Sequence, residues 1–442
     1  MFMIKNKIGP GIHLNLNVRG LSKSATLAIN ELGNSLIREG RRVYKLGFGQ
    51  SPFPVPPSIV TELQANAHQK DYLPVLGLEP LRKAVAGYYR RTQSLSYSHD
   101  NILIGPGSKE LMFLLQFCYC GDLVLPSPSW VSYAPQAAIL GRRIHWLPTY
   151  PQERWCLKPE ALDTLCAQDP ERPRLVVLNY PSNPAGTTYS TDELRNLAEV
   201  ARKYNLLLLS DEIYGEFHFA GPHISIAQFY PEGTIISGGL SKWCGAGGWR
   251  LGTFAFPKAL GWLKNAMCAV ASETYTSVSA PIQYAAIKAF EGSPEIEEYL
   301  VQARRVLKAL GEYVAELLQE HGVKVVAPAG AFYLFPDFSS CQHISGKDSI
   351  LSSQDLCNRI LKETGVALLP GSDFGRPADE WTARLAYVNF DGAEALAGVS
   401  QIPSNKPLGK DFLETYCSNC LQGVRSLCEW LGGKHGDFGK AD

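Results

Sequence analysis

Residues 175–214 read LVVLNYPSNPAGTTYSTDELRNLAEVARKYNLLLLSDEIY. Leu175 to Asn179 is a short apolar run that ends in the turn-rich Tyr180-Pro181-Ser182-Asn183-Pro184-Ala185-Gly186, and Leu206 to Ser210 is a second, continuous apolar run. Runs without polar alternation suit strands covered on both faces, as in a mostly parallel sheet. Between them Ser190 and Glu193 form a Ser-x-x-Glu capping box, after which Leu194, Leu197 and Val200 follow at helical spacing. The segment therefore predicts a crossover helix between two strands. Working outward, Asn101 to Ile104, Asp122 to Leu125, Thr234 to Ser237 and Leu251 to Phe256 are further strand-like runs separated by helical or loop segments. That alternation is the signature of an α/β unit.

Beyond it, Ser293 as N-cap and Pro294 at the first helical position open a long amphipathic pattern that runs to about His321 and stops at Gly322, a helix able to link two domains. The last third offers strand-like Lys324 to Ala327, Ala331 to Pro336 and Ala383 to Val388, a helix over Ser353 to Glu363, and a final helix near Asp411 to Leu431. We read it as a smaller α+β unit. The Pro- and Gly-bearing stretch from Asp391 to Lys410 reads as a surface insertion, and Gly432 to Asp442 as a frayed tail. The boundaries drawn from this reading are 1–50 for an N-terminal arm and part of the small domain, 51–292 for the large domain and 293–442 for the small C-terminal domain.

The 442 residues carry 42 Lys+Arg against 42 Asp+Glu, a net charge of zero, with no block of like charge to form a nucleic-acid stripe or a polybasic membrane patch. No nucleic acid and no membrane are expected as partners, and small molecules become the default ligands. Met1 to Gly20 lacks an apolar core of signal-peptide length, and no run approaches the roughly 18 apolar residues of a membrane span. The 11 cysteines are scattered and odd in number, which fits a reducing cytoplasm better than a disulfide framework. Cys417 and Cys420 lack a second pair or spaced histidines, so they read as packing residues and no metal is expected.

Several strands end in polar clusters, and ligands of such sheets bind outside the carboxyl ends of the strands. Asn183 offers an amide, although the segment alone also reads as a plain turn. Ser210-Asp211-Glu212-Ile213-Tyr214 puts a carboxylate at a buried strand end with a phenol beside it; a helix cap or core ion pair is the plainer alternative. Gly238-Gly239-Leu240-Ser241-Lys242-Trp243 places a lysine in a charge-poor, glycine-rich stretch, with Arg250 eight residues later. Gly105-Pro106-Gly107-Ser108-Lys109-Glu110 is a glycine turn ahead of a helical run, which aims backbone N–H groups and the helix dipole at an anion. An amine nucleophile, a buried carboxylate, phenol and amide donors, and a phosphate cradle with an arginine together specify pyridoxal 5'-phosphate. Its aldehyde forms a Schiff base with lysine and its ring nitrogen pairs with a carboxylate.

With these residues in hand, the sequence from Ser24 to Arg384 resembles the class I/II aminotransferases, the fold-type I pyridoxal-phosphate enzymes. The ordered set Ser-Asn-Pro-x-Gly, Ser-Asp-Glu-x-Tyr, Ser-Lys and Gly-Trp-Arg carries the resemblance. Ser24-Ala25-Thr26, Trp130-Val131-Ser132-Tyr133 and Gly330-Ala331-Phe332-Tyr333 place it nearest the aspartate and aromatic branch. The resemblance implies a large domain with a mainly parallel seven-stranded sheet sandwiched by helices, a small α+β domain built from both chain ends, and a homodimer with the cofactor between the domains at the interface. It implies that Lys242 forms the Schiff base and shuttles a proton between the substrate Cα and C4' of the cofactor. By the same carry-over Asp211 holds the ring-nitrogen proton, Asn183 and Tyr214 hydrogen-bond O3', and Trp130 stacks on the ring. Gly107, Ser108, Lys109 and Arg250 match the phosphate cradle, with Ser241 beside them. Tyr72 matches a tyrosine that reaches the neighbouring subunit's phosphate, Arg384 the arginine that grips the substrate α-carboxylate, and Gly49 a residue against the same group. On spacing alone Arg384 reads as a sheet-edge residue.

One departure stands out. Gly239 occupies the place where many relatives have a phosphate-binding serine, leaving Ser237 or Ser241 to compensate. The expected reaction is ping-pong transfer of an amino group between an L-amino acid and a 2-oxo acid. Lys109, where relatives place a lysine near a distal carboxylate, favours an aspartate- or glutamate-type donor, unless it only lends its backbone N–H to phosphate. Aromatic transamination is the close alternative, since Trp130, Tyr133, Phe332 and Tyr333 could line an apolar pocket. A lyase on the same residues, and more remotely a non-catalytic sensor, complete the alternatives.

Overall fold

The computed structural model describes residues 13–21, 25–341 and 350–433. Ser24 of the Ser24-Ala25-Thr26 motif, and the tail from residue 434, lie outside the described residues.

Seven strands form the main sheet: β1 (Ile102–Gly105), β2 (Asp122–Ser127), β3 (Ile144–Pro148), β4 (Arg174–Asn179), β5 (Leu207–Asp211), β6 (Thr234–Gly239) and β7 (Gly252–Ala255). Their order is β1-β7-β6-β5-β4-β2-β3. All neighbours are parallel except β7, which runs antiparallel to both β1 and β6. The continuous apolar runs are explained by cover on both faces. Leu175, Val177, Leu207 and Leu209 join a core with Leu111 and Leu115 of the Ser108–Cys118 helix, whereas Val176, Leu178 and Leu208 face Leu194, Leu197 and Ala198 of the Thr191–Lys203 helix. That crossover helix begins as the sequence predicts, with the Ser190 hydroxyl accepting from the Glu193 amide and the Glu193 carboxylate accepting from the Ser190 amide. The reading of strands missed β3. It is one of the two edge strands, only one of its five residues is buried, and it has no continuous apolar run to betray it.

The Pro294–Glu320 helix, capped by Ser293, leads to a three-stranded sheet of order β8 (Tyr333–Leu334), β10 (Ala383–Ala386), β9 (Leu369–Pro370). Residues 44–46 lie against this second unit: Tyr44 bridges Val366, and the Leu46 carbonyl accepts from the Ala386 amide at 2.7 Å. Three expectations need correcting here. Lys324 to Ala327 is no strand; only Lys324 makes a bridge, to Asp337. The final helix is two, Lys410–Tyr416 and Ser418–Leu431, broken at Cys417. Residues 391–410 are not a mere surface insertion: Asp391 caps a helix, Gly392–Ser400, whose Ala395 and Val399 are fully buried. Its glycines misled the reading, because Gly398 serves close packing; a Cβ there would sit 2.3 Å from the Tyr416 ring. The loop that follows is pinned by Arg305, whose guanidinium donates to the carbonyls of Ile402, Pro403 and Lys406 at 3.0, 2.9 and 3.0 Å. No helix among the described residues is long and apolar enough to cross a membrane.

Candidate active site

The carboxyl ends of β4, β5 and β6 open into a cavity of about 570 Å³. Eleven of the thirteen expected site residues line it; the exceptions are Gly107, which lies behind Arg250, and Tyr72, which is 92% exposed.

Asp211 is the last residue of β5 and is buried. Its Oδ2 accepts a 2.5 Å hydrogen bond from the Tyr133 hydroxyl, while Oδ1 is buried without a hydrogen-bond partner. Burial pushes the carboxyl up to about 6, against the opposing effect of Tyr133. The backbone around it is fixed by Asn179, whose amide nitrogen donates to the Asp211 carbonyl at 2.9 Å and whose Oδ1 accepts from the Asn183 amide at 2.7 Å.

Lys242 follows β6 and donates from Nζ to the Gly49 carbonyl at 2.7 Å. Burial, then the charges of Arg384, Arg250 and Lys109, pull its ammonium down to about 7, with Asp211 opposing. A neutral amine is thus accessible near neutrality, as nucleophilic and proton-transfer roles require. Tyr214, three residues past Asp211, shares a 2.7 Å hydrogen bond with the Tyr333 hydroxyl, and burial keeps its phenol protonated.

Arg384 lies on β10, the middle strand of its sheet, which corrects the edge placement. It is 1% exposed and donates to Asn183 Oδ1 at 3.1 Å and to the Gly47 carbonyl at 2.6 Å, its Nε unpartnered. Its guanidinium stands over the Tyr333 and Phe374 rings at 4.8 and 5.2 Å. A buried fork without a salt-bridged carboxylate among the described residues is suited to an incoming one.

The anion cradle is built at the start of the Ser108–Cys118 helix. Gly107, at φ 89°, precedes the Ser108–Cys118 helix, and a Cβ on it would fall 2.2 Å from an Arg250 nitrogen. Arg250 is held by the carbonyls of Gly247 and Pro106 at 3.0 and 3.4 Å. Gly239 adopts φ 151°, and a Cβ there would lie 2.7 Å from the Leu251 carbonyl, so the backbone itself accounts for the missing serine. Ser241 lines the cavity, whereas Ser237 pairs in register with Asp211 and is fully buried. Trp130 walls the cavity edge-on to Tyr133, with centroids 5.2 Å apart, and the Lys109 ammonium sits 5.0 Å from its ring centre.

Sequence reasoning did not assign Asn179 or Gly47, or the contact of Tyr133 with Asp211. Asn179 ends a strand, which was a usable signal; the partners of the other two are set by the fold, 78 and 337 positions away in the chain. The donor set fits pyridoxal 5'-phosphate: an orphaned carboxylate oxygen for the ring nitrogen, an amine, and a glycine cradle beside an arginine at a helix N-terminus.

Comparison with known proteins agrees. Residues 41–391 match the family described as aminotransferase class I and II. The aspartate aminotransferase of Geobacillus stearothermophilus is 34% identical over 380 residues, covering 84% of this chain and 93% of that one. Among solved structures, the Thermus thermophilus aspartate aminotransferase with maleate aligns with TM-score 0.79 at 29% identity, over 88% of this chain and 98% of that one. The aromatic aminotransferase of Pyrococcus horikoshii aligns with TM-score 0.75 at 26% identity, over 91% and 99%. With the sheet order, the cavity and these matches in agreement, the chain belongs to the class I and II aminotransferases and is a pyridoxal-phosphate-dependent transaminase, moving an amino group between an L-amino acid and a 2-oxo acid by a ping-pong cycle.

Proposed function

We propose that the substrates are dicarboxylic, with an aspartate- or glutamate-type amino acid as donor. The observation that carries this is the fourth cation of the cavity. Lys242, Arg250 and Arg384 have the aldehyde, phosphate and α-carboxylate to serve, which leaves Lys109 facing the same space without an ion pair among the described residues. Burial and the nearby Arg250 lower its pKa, so a second carboxylate would restore what the site withholds from it. The relatives named as aspartate aminotransferases support the same choice.

In this reading Arg384 binds the α-carboxylate, and Gly49 closes that side. Gly107, Ser108, Arg250 and Ser241 hold phosphate, Asp211 the ring nitrogen, and Asn183 and Tyr214 the phenolic oxygen, with Trp130 against the ring face. Pyridoxal phosphate, when bound, supplies an electron-poor ring that weakens the bonds at the substrate Cα. Lys242 Nζ takes the Cα proton, and Asp211 keeps the ring nitrogen charged while it does so. We further infer a cytoplasmic homodimer in which the exposed Tyr72 reaches the partner's phosphate; the 11 free cysteines fit a reducing compartment.

Lys109→Gln tests the substrate. Loss of a charge-assisted contact should lower kcat/KM for aspartate or glutamate roughly 10- to 100-fold while leaving an aromatic donor nearly unchanged. An equal effect on both donors, in steady-state assays of the reconstituted enzyme, would sink the dicarboxylate reading. Aromatic donors are the second reading, favoured by the rings of Trp130, Tyr133, Tyr214 and Tyr333 around the cavity.

A further inference from the structure

We propose that Tyr133 is a positioning residue that sets the charge and aim of Asp211, and through it the protonation of the cofactor ring. Tyr133 opens the Tyr133–Ile139 helix and is 1% exposed, with its hydroxyl directed at Asp211 Oδ2 at 2.5 Å. The helix is fastened from behind. Gln136 donates to the Lys109 carbonyl at 2.8 Å and accepts from Gln116 at 3.0 Å, which ties it to the Ser108–Cys118 helix.

The consequence is an asymmetric carboxylate. One oxygen is engaged by the phenol, and the other is buried without a partner where β5 ends at the cavity. A ring nitrogen brought to that oxygen can share its proton in two ways, as carboxylate with a charged ring or as carboxylic acid with a neutral ring. Burial favours the neutral pair, because it disfavours both charges. A hydroxyl donating to the carboxylate stabilises only the charged form and tips the pair towards the protonated ring. The groups that feel Asp211 are Tyr133, Tyr214, Tyr89, Ser237 across the sheet, Lys242 and the neighbouring Glu212. Glu212 repels its charge, whereas the Ile213 amide and the Ser237 hydroxyl favour it, each less than Tyr133 does. Among these groups Tyr133 makes the 2.5 Å hydrogen bond to the carboxylate and is the largest of the effects that favour its charge.

The inference rests on Asp211 being the carboxylate of the ring, so the experiment separates the two. Enzyme is reconstituted with pyridoxal phosphate carrying 15N in the ring, and the nitrogen shift is read across pH for the parent, Tyr133→Phe and Asp211→Asn, with cofactor affinity measured by absorbance titration. The parent should show a protonated ring at neutral pH. Tyr133→Phe should move the shift towards neutral pyridine and weaken cofactor binding roughly tenfold or more, with circular dichroism unchanged. A tyrosine of purely structural value would lower melting temperature and leave the nitrogen shift where it was, and that result overturns the proposal. A protonated ring in Asp211→Asn would instead overturn the role of Asp211 itself. A measurement free of cofactor stands beside these: in the apoprotein the Asp211 carboxyl carbon should titrate near 6 in the parent and higher in Tyr133→Phe. An unchanged midpoint also counts against the proposal. Should the phenylalanine variant not fold, the parent still decides, since its apoprotein should show a downfield hydroxyl proton that Asp211→Asn abolishes; absence of that resonance refutes the hydrogen bond.

Discussion

Lys242 combines a buried amine with three neighbouring cations, and this fixes how the empty protein responds to pH. Its ordinary ammonium pKa is 10.5 and the fold brings it to about 7. Between those values the unfolded chain holds the proton and the folded one does not, so this residue makes the apoprotein more stable as pH rises from about 7 towards 10. Its cost is fully present below about 7. Lys242→Ala should therefore melt higher than the parent at pH 6 and lose that advantage by pH 10, as apoprotein scans by differential scanning fluorimetry can show. The same substitution should abolish transamination, since the other amine among the described residues that line the cavity, Lys109, is held against the Trp130 ring. At this scale the sequence was most legible where chemistry and local pattern coincide, as at Asp211 and Lys242, each following an apolar strand. It was least legible where a side chain owes its partner to the fold: nothing near Arg384 in the chain announces the Gly47 carbonyl or Asn183.

At the scale of elements, the turn from β1 into the Ser108–Cys118 helix shows why a glycine is required. Gly107 has φ 89° and leaves no room for a Cβ beside the Arg250 guanidinium. Gly107→Ala should displace that guanidinium and weaken cofactor binding roughly 10- to 100-fold, the scale of a lost charge-assisted contact to phosphate. Equilibrium absorbance titration would measure it, and an unchanged affinity would mean that the phosphate sits elsewhere. Elements with continuous apolar cores or explicit caps, such as β4, β5 and the helices begun by Ser190 and Ser293, were readable from sequence because their signals are local. The edge strand β3 and the Gly392–Ser400 helix were not. The first is apolar only in part, and the second places a glycine where a neighbouring ring, not the backbone, demands it.

Across the whole molecule, the proposed exchange of Tyr72 between subunits makes a complementation experiment decisive. Mixing Lys242→Ala with Tyr72→Ala chains forms hybrids in which one site carries both defects and the other carries none. Random reassociation should restore about a quarter of parental activity, because half of the dimers are hybrids with one sound site of two. If Tyr72 served its own chain, neither site would recover. A last consequence concerns Arg384, a guanidinium sealed among Tyr333, Phe374 and two neutral oxygens. Such a group makes the thermal resilience of this protein a property of its surroundings, because any small organic acid that settles on the guanidinium adds stability with the logarithm of its concentration. Acetate and formate buffers are then competitors rather than bystanders, and shelf life and apparent potency would both follow the choice of salt.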